Sequence, residues 1–309
     1  MNNRVHHYPT TLFGWFFHYL HPWIILAGAG FYSLGASVII FLGPGLDWDL
    51  FFLGLINIIF LLLSSMMLKA HFDQIDIYGR GKPASESDPE IAGLLRLPRQ
   101  IFLFLGLLCL TAGAFVTALL INNQGLTINV YLILGFAFFL SLFYGVPPLR
   151  LAYSGLGEFS QAILLAILIP AFAYSIQMGE INRFLTMLTL PLVPLLLALF
   201  LAQSYESYGK NHYLQHGNLV NRIGWQHGSF WHNVLLLLAY LLFGVAAIAG
   251  QPWSITWPAL LSMLIALFQV YQMVRITNGA KPRWTLLQVT SFATVATTLY
   301  LLIIALITG

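Results

Sequence analysis

Charge is what this 309-residue chain has least of: Asp, Glu, Lys and Arg together make up 7% of it. Soluble domains carry about 25%, so this composition excludes a water-soluble fold. The formal excess of +3 is too small to point to a nucleic-acid partner, and none is expected. Cysteine is nearly absent. The single Cys109 lies inside an apolar run and excludes an intrachain disulfide. The N-terminus "MNNRVHHYPTTLFGWFF" lacks the basic segment, short apolar core and small-residue cleavage site of a signal peptide. What remains is apolar: 59% of the residues are hydrophobic and the mean hydropathy is +0.82. One membrane domain spanning residues 1–309 is expected, with no soluble domain at either end.

Runs of about 20 apolar residues are long enough to cross a bilayer. Nine are present, at about 22–42, 49–68, 100–122, 127–146, 157–177, 184–203, 230–249, 257–274 and 287–308. The connections after the odd-numbered spans are short and nearly uncharged, as in "NNQG" and "GQPWSIT", whereas those after even-numbered spans are longer and polar. Of the thirteen Lys and Arg residues, only Arg183 falls on the odd-loop side. Such an asymmetry places the N-terminus and the even loops in the cytoplasm and the C-terminus outside, in the plasma or inner membrane. A reporter active only in the cytoplasm, fused after Gly309, is therefore expected to stay silent. A strong signal would remove the orientation and the odd span count together. All nine histidines fall on the expected cytoplasmic side, where composition alone accounts for them. Aromatic clusters such as "GSFWHN" mark span ends, as interfacial belts do. Pro170, Pro191 and Pro194 lie inside spans five and six, where they either kink the helices or border a polar cavity.

Ionisable residues beside a membrane cavity are candidates for chemistry, and here they gather in two cytoplasmic loops. The first contains "HFDQIDIYGRGKP", residues 71–83. If span two continues as a helix, Asp73 and Asp76, spaced i,i+3, share one face. Such a pair can share a hard divalent cation such as Mg²⁺, which keeps waters that a phosphate can replace. Lys69, Arg80 and Lys82 stand close enough in sequence to clamp phosphate oxygens. An isolated Asp-x-x-Asp is also the composition of an ordinary solvated loop. The second loop, residues 202–228, has one carboxylate, Glu206, with Lys210 and Arg222. His212 and His216 stand at i,i+4 but lack the acidic companion of a zinc motif, so a helix-surface pair is the expectation there.

Several stretches carry a family resemblance. "YGVPPLRLAYSGLGE", residues 144–158, is similar to a Tyr, Pro-Pro, Arg-Leu, Tyr, Gly-Leu-Gly-Glu pattern. "DPEIAGLLRLPRQ", residues 88–100, resembles the segment leading into span three, "HPW" at His21 an Arg-Pro near span one, and "NLVNRIGW", residues 218–225, the close of a second motif. Together, over roughly residues 15–230, they resemble the UbiA superfamily of membrane prenyltransferases, nearest its menaquinone-pathway 1,4-dihydroxy-2-naphthoate polyprenyltransferase branch. The resemblance implies an all-helical nine-span bundle around a cytoplasm-facing cavity. It also implies transfer of a polyprenyl chain from its diphosphate to an aromatic, quinone-precursor acceptor, with two Asp-rich motifs holding Mg²⁺. Mapped residue by residue, Asp73, Asp76 and Glu206 would be catalytic and metal-holding, and Lys69, Arg80, Lys82, Lys210 and Arg222 would bind diphosphate. Tyr144, Tyr153 and Glu158 would stand near the acceptor. The chain departs from the family pattern at Phe72, where Asn is usual, near Arg80, where a further Asp is usual, and in the second motif, which keeps only Glu206. Three carboxylates suffice for one Mg²⁺ with a diphosphate but are few for two ions, so one ion is expected, with cations supplementing its charge.

The rival expectation is a catalytically inactive relative that keeps the fold and binds a quinone, carotenoid or other isoprenoid lipid as an accessory subunit. A coupled transporter is disfavoured, since no charged residue lies mid-span and no internal repeat is evident.

Overall fold

The computed structural model describes residues 14, 22–79, 97–124, 126–206, 208 and 219–309. Among these, all nine expected spans are helices: α1 (Pro22–Leu42), α2 (Trp48–Gly79), α3 (Arg99–Gln124), α4 (Ile128–Gly145), α5 (Gly157–Met178), α6 (Arg183–Ser204), α7 (Trp225–Ile248), α8 (Trp253–Thr277) and α9 (Trp284–Thr308). Each is long and apolar enough to cross a membrane. The described residues contain no β-strand. α2 runs well past its apolar stretch, so Asp73 and Asp76 stand on its final turns.

Burial sorts the helices. α5 and α6 are the most enclosed, and α3 the least. Phe104, Leu107, Leu108 and Phe115 on α3 are exposed, the surface a lipid solvent accepts. α3 packs along α2, α4 lies against α2 and α5, α1 against α5 and α9, α6 against α7 and α9, and α8 against α9. Lipid offers little hydrophobic drive between helices, so close backbone approach and polar links matter more than in water. Gly35 of α1 is one such approach: a Cβ there would stand 2.3 Å from the Pro170 carbonyl oxygen of α5. Asn57 of α2 donates to the Gly113 carbonyl (3.0 Å) and the Thr117 hydroxyl (2.7 Å) of α3. Gln269 of α8 donates to the Thr290 carbonyl of α9 at 3.1 Å.

The prolines mark departures from α geometry. Pro170 follows a π-helical turn, Leu164–Leu168, inside α5. Pro191 sits at a break in α6, between Thr189 and Leu192, and Pro194 lies in the first turn after it, where no intrahelical donor is missed. The π turn of α5, at Leu164 and Leu165, also borders a crevice, but none of the three prolines lines it.

Candidate functional site

The end of α2 presses against the end of α4. A Cβ on Gly145 would stand 2.5 Å from the Lys69 Cα, so the absence of a side chain lets the two backbones meet. That contact drapes the segment after α4 over the last turns of α2. Arg150, in a left-handed conformation (φ 44°, ψ 58°) uncommon outside glycine, reaches back across it. Its Nη1 donates to Asp76 Oδ2, its Nη2 to the Phe72 carbonyl at 3.2 Å and its Nε to the Gly145 carbonyl at 3.5 Å. One turn earlier, Lys69 Nζ donates to Asp73 Oδ2 at 2.8 Å, and the Tyr153 hydroxyl donates to Asp73 Oδ1. The Tyr153 ring lies against both cations, its centroid 5.5 Å from Lys69 Nζ and 5.1 Å from the Arg150 guanidinium carbon. Five residues thus form one mostly sheltered cluster in which two carboxylates meet two cations.

Arg150 is the member that sequence reasoning passed over. It entered only as one more positive charge, although it stands inside the Tyr144–Glu158 stretch that carried the resemblance. Its pairing crosses 74 residues. The signal that would have found it is its place between the prolines and Tyr153, as the sole charge between α4 and the Gly-Leu-Gly-Glu turn.

The same segment reaches the second loop. Gly155 has φ +73°, and a Cβ on it would meet the Arg222 side chain at 2.4 Å, so Arg222 lies directly across this turn. Glu158, in the first turn of α5, accepts from the Leu219 backbone N–H at 3.0 Å and from the Ser204 hydroxyl at 3.4 Å. Ser204 ends α6, and Leu219 opens the short helix Leu219–Ile223. One carboxylate oxygen therefore ties both ends of the second loop to α5. Replacing Glu158 with alanine is expected to lower stability by about 1–2 kcal/mol through the lost charge-assisted bonds, read as a lower melting temperature in detergent. Glu158→Gln, which keeps an acceptor oxygen, should lose less.

Glu206 lies beyond α6 and accepts from Gln288 Nε2 of α9 at 2.6 Å. Tyr205 beside it is buried against Trp225 and Trp284, with ring centroids 4.8 and 6.4 Å away. Burial, with Tyr208 adding a smaller push, holds its phenol well above the usual tyrosine range and therefore neutral. The described residues contain no group of three Asp, Glu, His or Cys side chains placed to hold a metal ion. Asp73 and Asp76 stand together, and Glu206 has its bond on α9. Arg80, Lys82, Lys210, His212 and His216 lie outside the described residues.

Tyr144, next to Gly145 in sequence, lines a narrow crevice between α1, α2, α4 and α5 whose clear space is about 10 Å³, room for one water. Ser65 and Met66 of α2, Ser141 of α4, and Ser160 and Gln161 of α5 line it with Tyr144, and leucines close the rest.

The sequence matches no protein-family model and no curated protein. Solved structures do match. A UbiA homolog from Archaeoglobus fulgidus bound to GPP and Mg²⁺ superposes with a TM-score of 0.63 at 13% identity, over 93% of this chain and 99% of that one. This protein has the UbiA fold. A second UbiA homolog, the apo structure from Aeropyrum pernix K1, matches with a TM-score of 0.61 at 14% identity, over 88% of this chain and 94% of its own. A digeranylgeranylglyceryl phosphate synthase matches at 0.60 and 15% identity, over 93% and 92%. The likeness covers nearly whole chains on both sides, so the UbiA fold here extends across all nine helices rather than a shared fragment.

Proposed function

We propose that this protein is a membrane prenyltransferase moving a polyprenyl chain from its diphosphate to an aromatic, quinone-precursor acceptor. The observation that carries the reading is the Lys69–Asp73–Tyr153–Arg150–Asp76 cluster, set at the end of α2 directly beyond a crevice with largely apolar walls. Solved structures of the same fold bind GPP or DMAPP with Mg²⁺. An allylic diphosphate needs cationic and hydroxyl donors for its leaving group, and the cluster supplies both.

The donor pair among the described residues supports a site for one Mg²⁺. Asp73 and Asp76 stand one turn apart and both meet the Arg150–Tyr153 segment, so they face one side, and no third acid joins them among the described residues. Asp73 and Asp76 would hold the ion, whose bound charge would help neutralise the departing diphosphate. The chain's own residues do the rest. Lys69, Arg150 and Arg222 offer N–H donors to phosphate oxygens, with Arg80, Lys82 and Lys210 assigned to the same anion. Tyr153 holds Asp73 in place and offers its ring face to both cations. Glu206, held by Gln288, has the lesser part. The allylic C–O bond breaks and its electron pair leaves with the diphosphate. An electron-rich ring carbon then bonds to the allylic cation, and the proton it sheds goes to the diphosphate.

The deciding experiment incubates purified protein with Mg²⁺, labelled polyprenyl diphosphate and a panel of aromatic acceptors. Labelled prenylated product supports the reading. Its absence with every acceptor supports a second reading, an inactive isoprenoid-lipid binder. One observation favours that alternative: both oxygens of Asp73 and one of Asp76 already carry side-chain partners from the chain itself.

A further inference from the structure

Of the three serines lining the crevice, two have spent their hydroxyl proton on a backbone carbonyl. Ser65 donates to the Ser141 carbonyl at 2.6 Å, and Ser160 to the Gly157 carbonyl at 2.9 Å. The third, Ser141, is 1% exposed, and its Oγ has no hydrogen-bond partner. A helical serine can satisfy itself on the carbonyl three or four residues back, as Ser33 does on Ala29. Ser141 does not. A buried hydroxyl held unpaired at a crevice is the kind of exception that calls for a ligand.

Its position says which ligand. Ser65 precedes Lys69 by four residues on α2, and Ser141 precedes Gly145 by four on α4. Lys69 and Gly145 are in contact, so the crevice lies one helical turn, about 6 Å along α2, below the backbone of the lysine whose ammonium meets Asp73. The opposite wall, at Leu164 and Leu165, is where α5 leaves α geometry for its π turn, a device frequent at functional sites. The clear space takes a water-sized group and not a ring.

We propose that Ser141 is a specificity-determining residue, pairing with a single oxygen substituent, a hydroxyl, on the aromatic acceptor, while the ring itself rests outside the crevice toward Lys69. This rests on the prenyltransferase reading and adds to it the acceptor's recognition group. An oxygen-bearing ring satisfies the Ser141 hydroxyl, whereas the same ring without the substituent leaves it unpaired, and such mismatches discriminate more strongly than lost apolar contact.

The test is equilibrium binding of 1-hydroxy-2-naphthoate and 2-naphthoate to the purified full-length protein, before and after Ser141→Ala. Wild type is expected to prefer the hydroxylated ring by roughly three- to tenfold, the size of one net hydrogen bond. Ser141→Ala should erase that preference with the affinity for 2-naphthoate unchanged. Because the Ser141 hydroxyl makes no bond in the fold, the variant is not expected to melt lower. Ser141→Val, which fills the crevice, should weaken the hydroxylated ring in the same way. A preference that survives Ser141→Ala, or no preference in wild type, would overturn the proposal, the latter leaving the crevice to a water. Turnover with a labelled donor, measured separately, reports on the prenyltransferase reading: preference without product would sink that reading and retain the binding site, and product without preference the reverse.

Discussion

Prenyl transfer is expected to fall about 10²–10³-fold when Asp73 is replaced by alanine, the usual cost of removing one electrostatic group aimed at developing charge. The expectation comes from how much converges on this carboxylate. It holds the Lys69 ammonium at 2.8 Å and receives the Tyr153 hydroxyl, and its side chain is only 12% exposed. Without it the ammonium loses its fixed position and the tyrosine its partner, and the proposed metal site loses one of its two carboxylates. Asp73→Asn keeps the shape and an acceptor for Tyr153 but not the charge, so it should recover little turnover while restoring most of the stability. Glu206→Ala should cost less, since Glu206 is bonded to Gln288 and stands apart from the Asp73–Asp76 pair. Steady-state turnover of labelled diphosphate, with the melting temperature of each variant, separates these effects. Transfer that survives Asp73→Ala undiminished would show that the chemistry does not run through this stretch. The inactive-binder reading expects instead no turnover in wild type and unchanged isoprenoid binding in both variants.

Arg150→Ala is expected to be the most destabilising change at the site. The guanidinium serves Asp76, two backbone carbonyls and the face of Tyr153. Removing one partner of a buried ion pair costs about 3–5 kcal/mol. Arg150 and Asp76 keep 21% and 33% side-chain exposure, so water compensates in part and about 2–3 kcal/mol is the expected loss. The backbone offers an internal control. Arg150 sits at φ 44°, a conformation that costs a residue with a Cβ about 1–2 kcal/mol. Arg150→Gly should therefore be more stable than Arg150→Ala by about 1 kcal/mol after glycine's greater unfolded-state freedom is allowed for, although both lack the guanidinium. Urea or thermal unfolding in detergent reads the difference. Equal stability of the two variants would mean that the left-handed turn carries no strain. Arg150→Lys should recover the charge on Asp76 but not the carbonyl bonds, since an ammonium cannot reproduce the planar fork.

The nine helices were legible before any coordinates because the cost of exposing backbone and charge to hydrocarbon is local and adds residue by residue along the chain. The extension of α2 past its apolar stretch, which the shared face of Asp73 and Asp76 required as a condition, came from the structure. The places of Glu158 and Tyr153 in a motif likewise said nothing of their partners in the fold. The structure shows Glu158 spanning 46 residues to Ser204 and 61 to Leu219. Tyr153 is a partner of Asp73 across 80 residues. Arg150 was invisible for the same reason, and so was the unpaired Ser141 hydroxyl, which in sequence is one more serine in an apolar run. The chain by itself determined its solvent, its span count and the end of the bundle where charge collects. Tertiary structure decided which charges meet, because pairing depends on where helix ends converge. That convergence is set by contacts such as Gly145 on Lys69, between residues too far apart in sequence for any local pattern to couple them.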